Sequence, residues 1–179
     1  MTMDDYMASR MVSEPLRVYD CCQETDGGCA LLITSPERAR DMQQKPAIIR
    51  AVAQASTQGQ EQMTSFYRED LNSLPEMELA ANRVYEMSGL SPKDIDAACL
   101  YDAFTSEVIM QLESFGFCDR GEGKDFVMDG GLEVGGRLPN NTHGGLLSEA
   151  YIHGVNNIAE ATRLIRGHTH NQPDVVNHV

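Results

Sequence analysis

Short apolar runs alternate along this chain with segments whose apolar residues recur three and four apart, the rhythm of an α/β protein with helices packed on a sheet. Thr2-Met3-Asp4-Asp5 has the form of a capping box, with Thr2 as N-cap, and opens a helix to about residue 10. Asp26-Gly27-Gly28 is a turn signal, and residues 29–34 form a continuous apolar run of strand length. Ser35-Pro36-Glu37 starts a helix to about residue 43, with proline at the first helical position, where its missing N–H costs nothing. Residues 46–53 are a second strand, and residues 56–72, polar and aperiodic, are a loop. A longer helix opens at Ser73-Leu74-Pro75, carries Met77, Ala80, Ala81, Val84 and Tyr85 on one stripe, and stops at Gly89 ahead of Ser91-Pro92. Residues 95–100 are a third strand, and 105–115 a helix with Val108, Ile109, Leu112 and Phe115 on one face. Residues 116–145 are dense in glycine and feed a last helix over about 147–166, with Val155, Ile158, Thr162 and Ile165 at helical spacing. Residues 174–179 begin a strand. The expected architecture is a mixed sheet from segments near 28–34, 46–54 and 97–101, with the 147–166 helix buried against it.

A length of 179 residues allows one domain with a real core. The net charge of −13 argues against nucleic acid, because phosphate binding needs a basic face to release counterions. It leaves room for an anionic ligand held locally by backbone amides. No apolar run approaches the roughly 20 residues that span a bilayer, and Met1-Thr2-Met3-Asp4-Asp5 is acidic where a signal peptide is basic. The five cysteines, Cys21, Cys22, Cys29, Cys99 and Cys118, are odd in number and form no CxxC, so neither a disulfide framework nor a zinc site is expected. A cytoplasmic location follows, with the thiols as packing residues. His168, His170 and His178 are too loosely arranged to hold a metal.

Two segments carry candidate chemistry. Tyr101-Asp102-Ala103-Phe104 stands at the C-terminal end of the third strand, where α/β folds place their ligands. Residues 140–151 run through His143, Gly144 and Gly145 to Tyr151, and the double glycine lets backbone approach a ligand at a helix start. By themselves these residues leave two readings open, a ligand site or a strand-end aromatic beside a glycine-rich turn.

At these positions the chain resembles thiolases, specifically the sterol-carrier-protein type and its lipid-transfer-protein relatives. Asp20-Cys21-Cys22 with Asp26-Gly27-Gly28-Cys29-Ala30-Leu31 resembles that family's D-C-C…D-G-A strand entry. Tyr101-Asp102-Ala103-Phe104 resembles its N-E-A-F or H-D-x-F motif, and residues 130–145 resemble the run before its central buried helix. The resemblance implies the C-terminal half of a layered αβαβα fold of two similar halves, and a homodimer. It also implies that residues 1–179 are one incomplete C-terminal domain, with an N-terminal half and last strands lying elsewhere.

Two departures from the family pattern matter most. Tyr101 stands where the motif begins with Asn or His, and Tyr151 stands where a G-H-P histidine activates the nucleophilic cysteine. A phenol, with a pKa near ~10, is a poor base for making thiolate at neutral pH. The tyrosine pair resembles the thiolase relatives that act as aldolases in bacterial steroid side-chain breakdown. That resemblance implies retro-aldol cleavage of a branched 3-hydroxyacyl-CoA, with Tyr101 and Tyr151 as acid and base. It implies no cofactor beyond the coenzyme A of the substrate, and an OB-fold, acyl-CoA-associated partner protein. His143 is a candidate oxyanion donor, Gly144 and Gly145 candidate ligand-approach positions, and Asp102 an N-cap or supporting acceptor. A thiolase-type acyltransferase and a non-catalytic lipid-binding or scaffold subunit are the other two readings.

Overall fold

Residues 95–100 run extended through the interior and divide it in two. Ala98 and Leu100 are buried with Leu112, Phe126 and Leu138, whereas Ala97 is buried with Leu164 and Val176, and Cys99 packs beside them. Successive side chains of an extended chain point to opposite faces, so one short segment nucleates both clusters. Helices α4 (Thr105–Ser114) and α5 (Gly123–Met128) supply the first cluster, and α7 (Val155–Arg166) supplies the second. The result is helix, extended chain, helix: a layered α/β arrangement. The computed structural model describes residues 1–58 and 68–179. Of the loop expected over 56–72, residues 59–67 lie outside the described residues.

The backbone of this spine finds its partners in loops. Ala98 N donates to Pro139 O at 2.9 Å and Asn141 N donates to Ala98 O at 3.0 Å, a single parallel bridge. On the other side, Asp96 N donates to His178 O at 3.0 Å, so the chain's last residues lie beside the spine, but residues 174–179 do not form the expected strand.

The expected mixed sheet is not formed among the described residues. Among the described residues the only sheet is a hairpin of β1 (Met11–Ser13) and β2 (Leu16–Arg17), with Met11 opposite Arg17. Residues 28–34 and 46–54 form no strand and make no backbone–backbone hydrogen bond among the described residues. Leu32 is 79% exposed and Ile48 76%. Continuous apolar runs belong to strands covered on both faces, and here the large apolar side chains stay exposed while only small neighbours such as Ala47, Ala51 and Ala53 are half-buried. Strand-forming composition reports a fit to a pleated, buried surface and does not supply the partner that closes the ladder.

The expected helix starts hold. α1 (Met3–Ala8) carries both capping-box bonds, Asp5 N to Thr2 Oγ1 at 3.2 Å and Thr2 N to Asp5 Oδ2 at 2.7 Å. α2 (Pro36–Arg40) begins on its proline, and α3 (Pro75–Ser88) ends at Gly89 with φ +70°. α3 docks on α4 through Tyr85 Oη, which donates to Phe115 O at 2.9 Å. The glycine-dense stretch is ordered into α5 and a series of turns that bury Phe126 and Leu138.

The last helix departs from expectation in two ways. It is broken: α6 (Gly145–Ser148) and α7 are separated by residues 149–154. His153 at φ +50° and Gly154 at φ +83° lie in the left-handed region, which a right-handed helix cannot contain. The buried face is also rotated away from Val155, Ile158, Thr162 and Ile165. Asn156, Asn157, Glu160 and Leu164 are buried, while Ile158 is 53% exposed.

Candidate active site

Tyr101 follows directly on the buried spine, and its backbone is held from both sides by one side chain. Gln111 of α4, 2% exposed, accepts from Tyr101 N at 3.1 Å and donates through Nε2 to Tyr101 O at 2.5 Å. Just before it, Leu100 N donates to Asn140 Oδ1 at 3.1 Å, and Leu100 O accepts from Asn141 Nδ2 and Asn157 Nδ2, both at 2.9 Å. Three asparagines thus clamp the end of the extended segment, two from the loop before α6 and one from α7.

Asp102 ties the same end of the extended segment to α6. Its buried carboxylate accepts from Leu146 N at 2.8 Å and Leu147 N at 3.4 Å, the capping role expected of it. Gly145 sits at φ +63°, and a Cβ there would lie 2.1 Å from Asp102 Oδ2. The second glycine is required by the close approach of that carboxylate.

The break between α6 and α7 turns Tyr151 toward Tyr101. Tyr151 N donates to Thr25 Oγ1 at 3.3 Å, and the residue forms a parallel bridge with Glu24. Asn156 Nδ2 donates to Ala150 O at 2.8 Å and steadies the segment from the first turn of α7. The hydroxyls of Tyr101 and Tyr151 meet at 2.7 Å, with the rings edge to face at 70°. His153 joins them: its Nδ1 lies 2.9 Å from Tyr151 Oη and 3.2 Å from Tyr101 Oη. The structure brings together the two tyrosines singled out in the sequence and adds a histidine that sequence reasoning missed. A spacing of two places residues on one side of an extended segment, so Tyr151-Ile152-His153 carried that signal, but only for a non-helical chain.

His143 lies apart from this hydrogen-bonded cluster. Its side chain is 4% exposed, with Nε2 3.6 Å from Glu149 Oε2, and neither ring nitrogen has a hydrogen-bond partner among the described residues. Gly144 caps α6 with φ +110°. No group of three metal-ligating side chains occurs among the described residues.

The electrostatics favour held protons over thiolates. Burial, reinforced by the hydrogen bond with Tyr151, raises the Tyr101 hydroxyl well above the ordinary phenol value. Burial likewise raises the Cys22 thiol, helped by Cys21 and Asp102, and pushes Cys99 up to about 12. Cys118 is raised by burial as well, so these three thiols carry no nucleophilic thiolate at neutral pH. Glu107, beside Tyr101, has its carboxyl raised, again chiefly by burial.

Fold and site together define a class: a layered α/β domain that gathers two phenols and an imidazole at the C-terminal end of a buried extended segment, a setting for proton transfer. The chain belongs to the thiolase C-terminal domain-like family, whose model matches residues 51–178. It is 57% identical, over 99% of its length, to a steroid side-chain-cleaving aldolase of Thermomonospora curvata. It is 52% identical, over its whole length, to a 17-hydroxy-3-oxo-4-pregnene-20-carboxyl-CoA lyase of Mycobacterium tuberculosis. In both cases it spans 46% of the relative, about half. A solved Ltp2-ChsH2(DUF35) aldolase superposes with a TM-score of 0.96 at 56% identity, covering 99% of this chain and 46% of that one. No helix among the described residues is long and apolar enough to cross a membrane.

Proposed function

We propose that this chain is the C-terminal part of an acyl-CoA retro-aldolase that cleaves a branched 3-hydroxyacyl-CoA into a ketone and a shorter acyl-CoA. The observation that carries this reading is the 2.7 Å contact between the Tyr101 and Tyr151 hydroxyls, in a site where the neighbouring Cys22 is kept as a thiol. The names of the relatives support it. A hydroxyl on carbon 17 and a CoA carboxyl group on carbon 20 put the alcohol β to a thioester carbonyl, which is what retro-aldol cleavage requires. In that reaction the tertiary hydroxyl loses its proton, the adjacent C–C bond breaks, and its electron pair leaves as a thioester enolate that is then protonated on carbon. Two phenols can accept one proton and supply another, provided the site makes them unlike. Tyr101, raised by burial and by its hydrogen bond with Tyr151, holds its proton more firmly than an ordinary phenol.

The coenzyme A belongs to the substrate, and no separate cofactor is invoked. A second protein component is part of this reading, supported by the two-component name of the similar solved aldolase; an OB-fold protein that holds the acyl-CoA and a homodimer of the thiolase-like subunit complete it. His143 enters this reading as an oxyanion donor only through its place before Gly144 and Gly145, the loop that Asp102 holds.

The test is made on the assembled enzyme with a CoA thioester of a branched 3-hydroxy acid. Tyr101→Phe and Tyr151→Phe each keep the ring and remove one hydroxyl, so KM stays near that of the parent and kcat falls about 10²–10⁴-fold. The double variant loses little more than either single one. Each of the five cysteines changed to Ser leaves cleavage intact. If both Phe variants cleave normally while one Cys→Ser change abolishes turnover, the chemistry is covalent and a thiolase-type acyltransferase replaces this reading.

A further inference from the structure

We propose that His153 is the terminal proton acceptor of this site, and that Tyr101 and Tyr151 conduct the substrate's proton to it instead of ionising themselves. This inference rests on the retro-aldol reading above. A neutral imidazole nitrogen that accepts has one lone pair, so the three contacts resolve into a directed chain. Tyr101 Oη–H donates to Tyr151 Oη at 2.7 Å, and Tyr151 Oη–H donates to His153 Nδ1 at 2.9 Å, which leaves the ring hydrogen on Nε2. The 3.2 Å separation between Tyr101 Oη and His153 Nδ1 is then the open side of a triangle. The imidazole stands nearly perpendicular to both phenol rings, at 84° and 85°, which presents its edge nitrogen to both hydroxyls. The backbone is committed to this placement: His153 occupies the left-handed region at φ +50°, uncommon for a residue with a side chain.

The chemistry needs such an acceptor. Phenols titrate near ~10, so neither tyrosine is an effective base at neutral pH, whereas imidazole changes charge between about pH 5 and 8. The substrate's hydroxyl proton passes to Tyr101 Oη as the Tyr101 proton passes to Tyr151 and the Tyr151 proton to His153 Nδ1. The substrate C–O bond becomes C=O, and the C–C electron pair leaves as the thioester enolate. The enolate carbon then takes a proton back along the same chain and His153 returns to neutral. Atoms and charge balance with no co-reactant.

The relay works only while His153 is unprotonated, so kcat/KM falls on the acid side. Among the described residues, Tyr151, Cys22 and Glu107 act on the Tyr101 hydroxyl, and Cys22 is raised by burial, so its titration lies on the alkaline side. Glu107, the carboxyl that acts on Tyr101, is a competing source of an acid limb. The experiment compares His153→Asn with Glu107→Gln in the assembled enzyme. Asparagine tolerates the left-handed backbone and keeps an acceptor oxygen near the position of Nδ1, but it cannot take the proton. The expected result for His153→Asn is a 10²–10⁴-fold loss in kcat with KM little changed, disappearance of the acid limb, and partial rescue by added imidazole. Glu107→Gln keeps the acid limb. If His153→Asn keeps parental kcat and its acid limb, the relay is overturned. The Phe variants of the two tyrosines, read in the same assay, show separately whether the retro-aldol site itself stands.

Discussion

The position of the Tyr101 hydroxyl is decided by a side chain ten residues away. Gln111 is buried in α4 and bonds both the N–H and the C=O of Tyr101, so it sets the backbone from which the phenol projects. Gln111→Leu keeps the bulk and leaves two backbone polar groups without those partners. A buried group left unpaired costs about 1–3 kcal/mol, so the urea midpoint of the assembled enzyme falls accordingly and kcat falls with it. An unchanged midpoint together with an unchanged kcat would count against this role. Nothing in the sequence marked Gln111, because a glutamine in a helical stripe looks solvent-facing until the strand it templates is in place. The tyrosines were legible only because they occupy positions where thiolase-like chains carry other residues.

At the scale of elements, α7 shows how polar residues build a buried face. Glu160, 1% exposed, accepts from Thr142 Oγ1 at 2.7 Å and from Thr169 Oγ1, and lies 3.5 Å from Arg163 Nη1. Burial pushes this carboxyl upward, but the two threonine hydroxyls, His143 and Arg163 outweigh it and hold the group below the ordinary glutamate value. A carboxyl lowered in the folded state contributes stability above its unfolded pKa, about 4.3, and loses that contribution as pH falls through the folded value. Glu160→Gln is therefore expected to cost about 1.5–3 kcal/mol at pH 7, the worth of hydrogen bonds to a charged group. The gap between variant and parent then narrows below about pH 4. Urea midpoints at pH 7 and pH 3.5 test this; a gap independent of pH would refute it. The break before α7 is the other lesson at this scale. In one continuous helix Tyr151 and His153 would point about 200° apart, since each residue turns the chain by about 100°. The break puts them on the same side.

For the whole molecule, the dominant feature is apolar surface. Leu32, Ile33, Ile48, Ile49 and Val52 are each at least 61% exposed, on two segments that find no ladder partner among the described residues. Exposed apolar area of this kind, on chain segments outside any sheet, is sticky. The 179-residue chain prepared by itself is expected to bind a hydrophobic dye strongly and to self-associate as concentration rises. Leu32→Lys together with Ile48→Lys reduces both effects, read by dye fluorescence and sedimentation. A parent chain that stays monomeric and dark with the dye would show that these segments find cover within the chain.

Helix starts at Thr2, Pro36 and Pro75, the stop at Gly89 and the buried 95–100 segment follow from the sequence itself, because capping, proline geometry and local apolar content act over a few residues. Tyr101 and Tyr151 could be chosen from their positions in motifs of a resembling family. Tertiary structure alone decided that 28–34 and 46–54 would lack a ladder, that the last helix would break at 149–154, and that Asn157, Glu160 and Gln111 would be buried. Each of those outcomes depends on a partner distant in the chain, and a polar residue goes inside only where such a partner meets its hydrogen bonds. The same holds for His153: its place beside two phenols exists only once a left-handed turn has set it there.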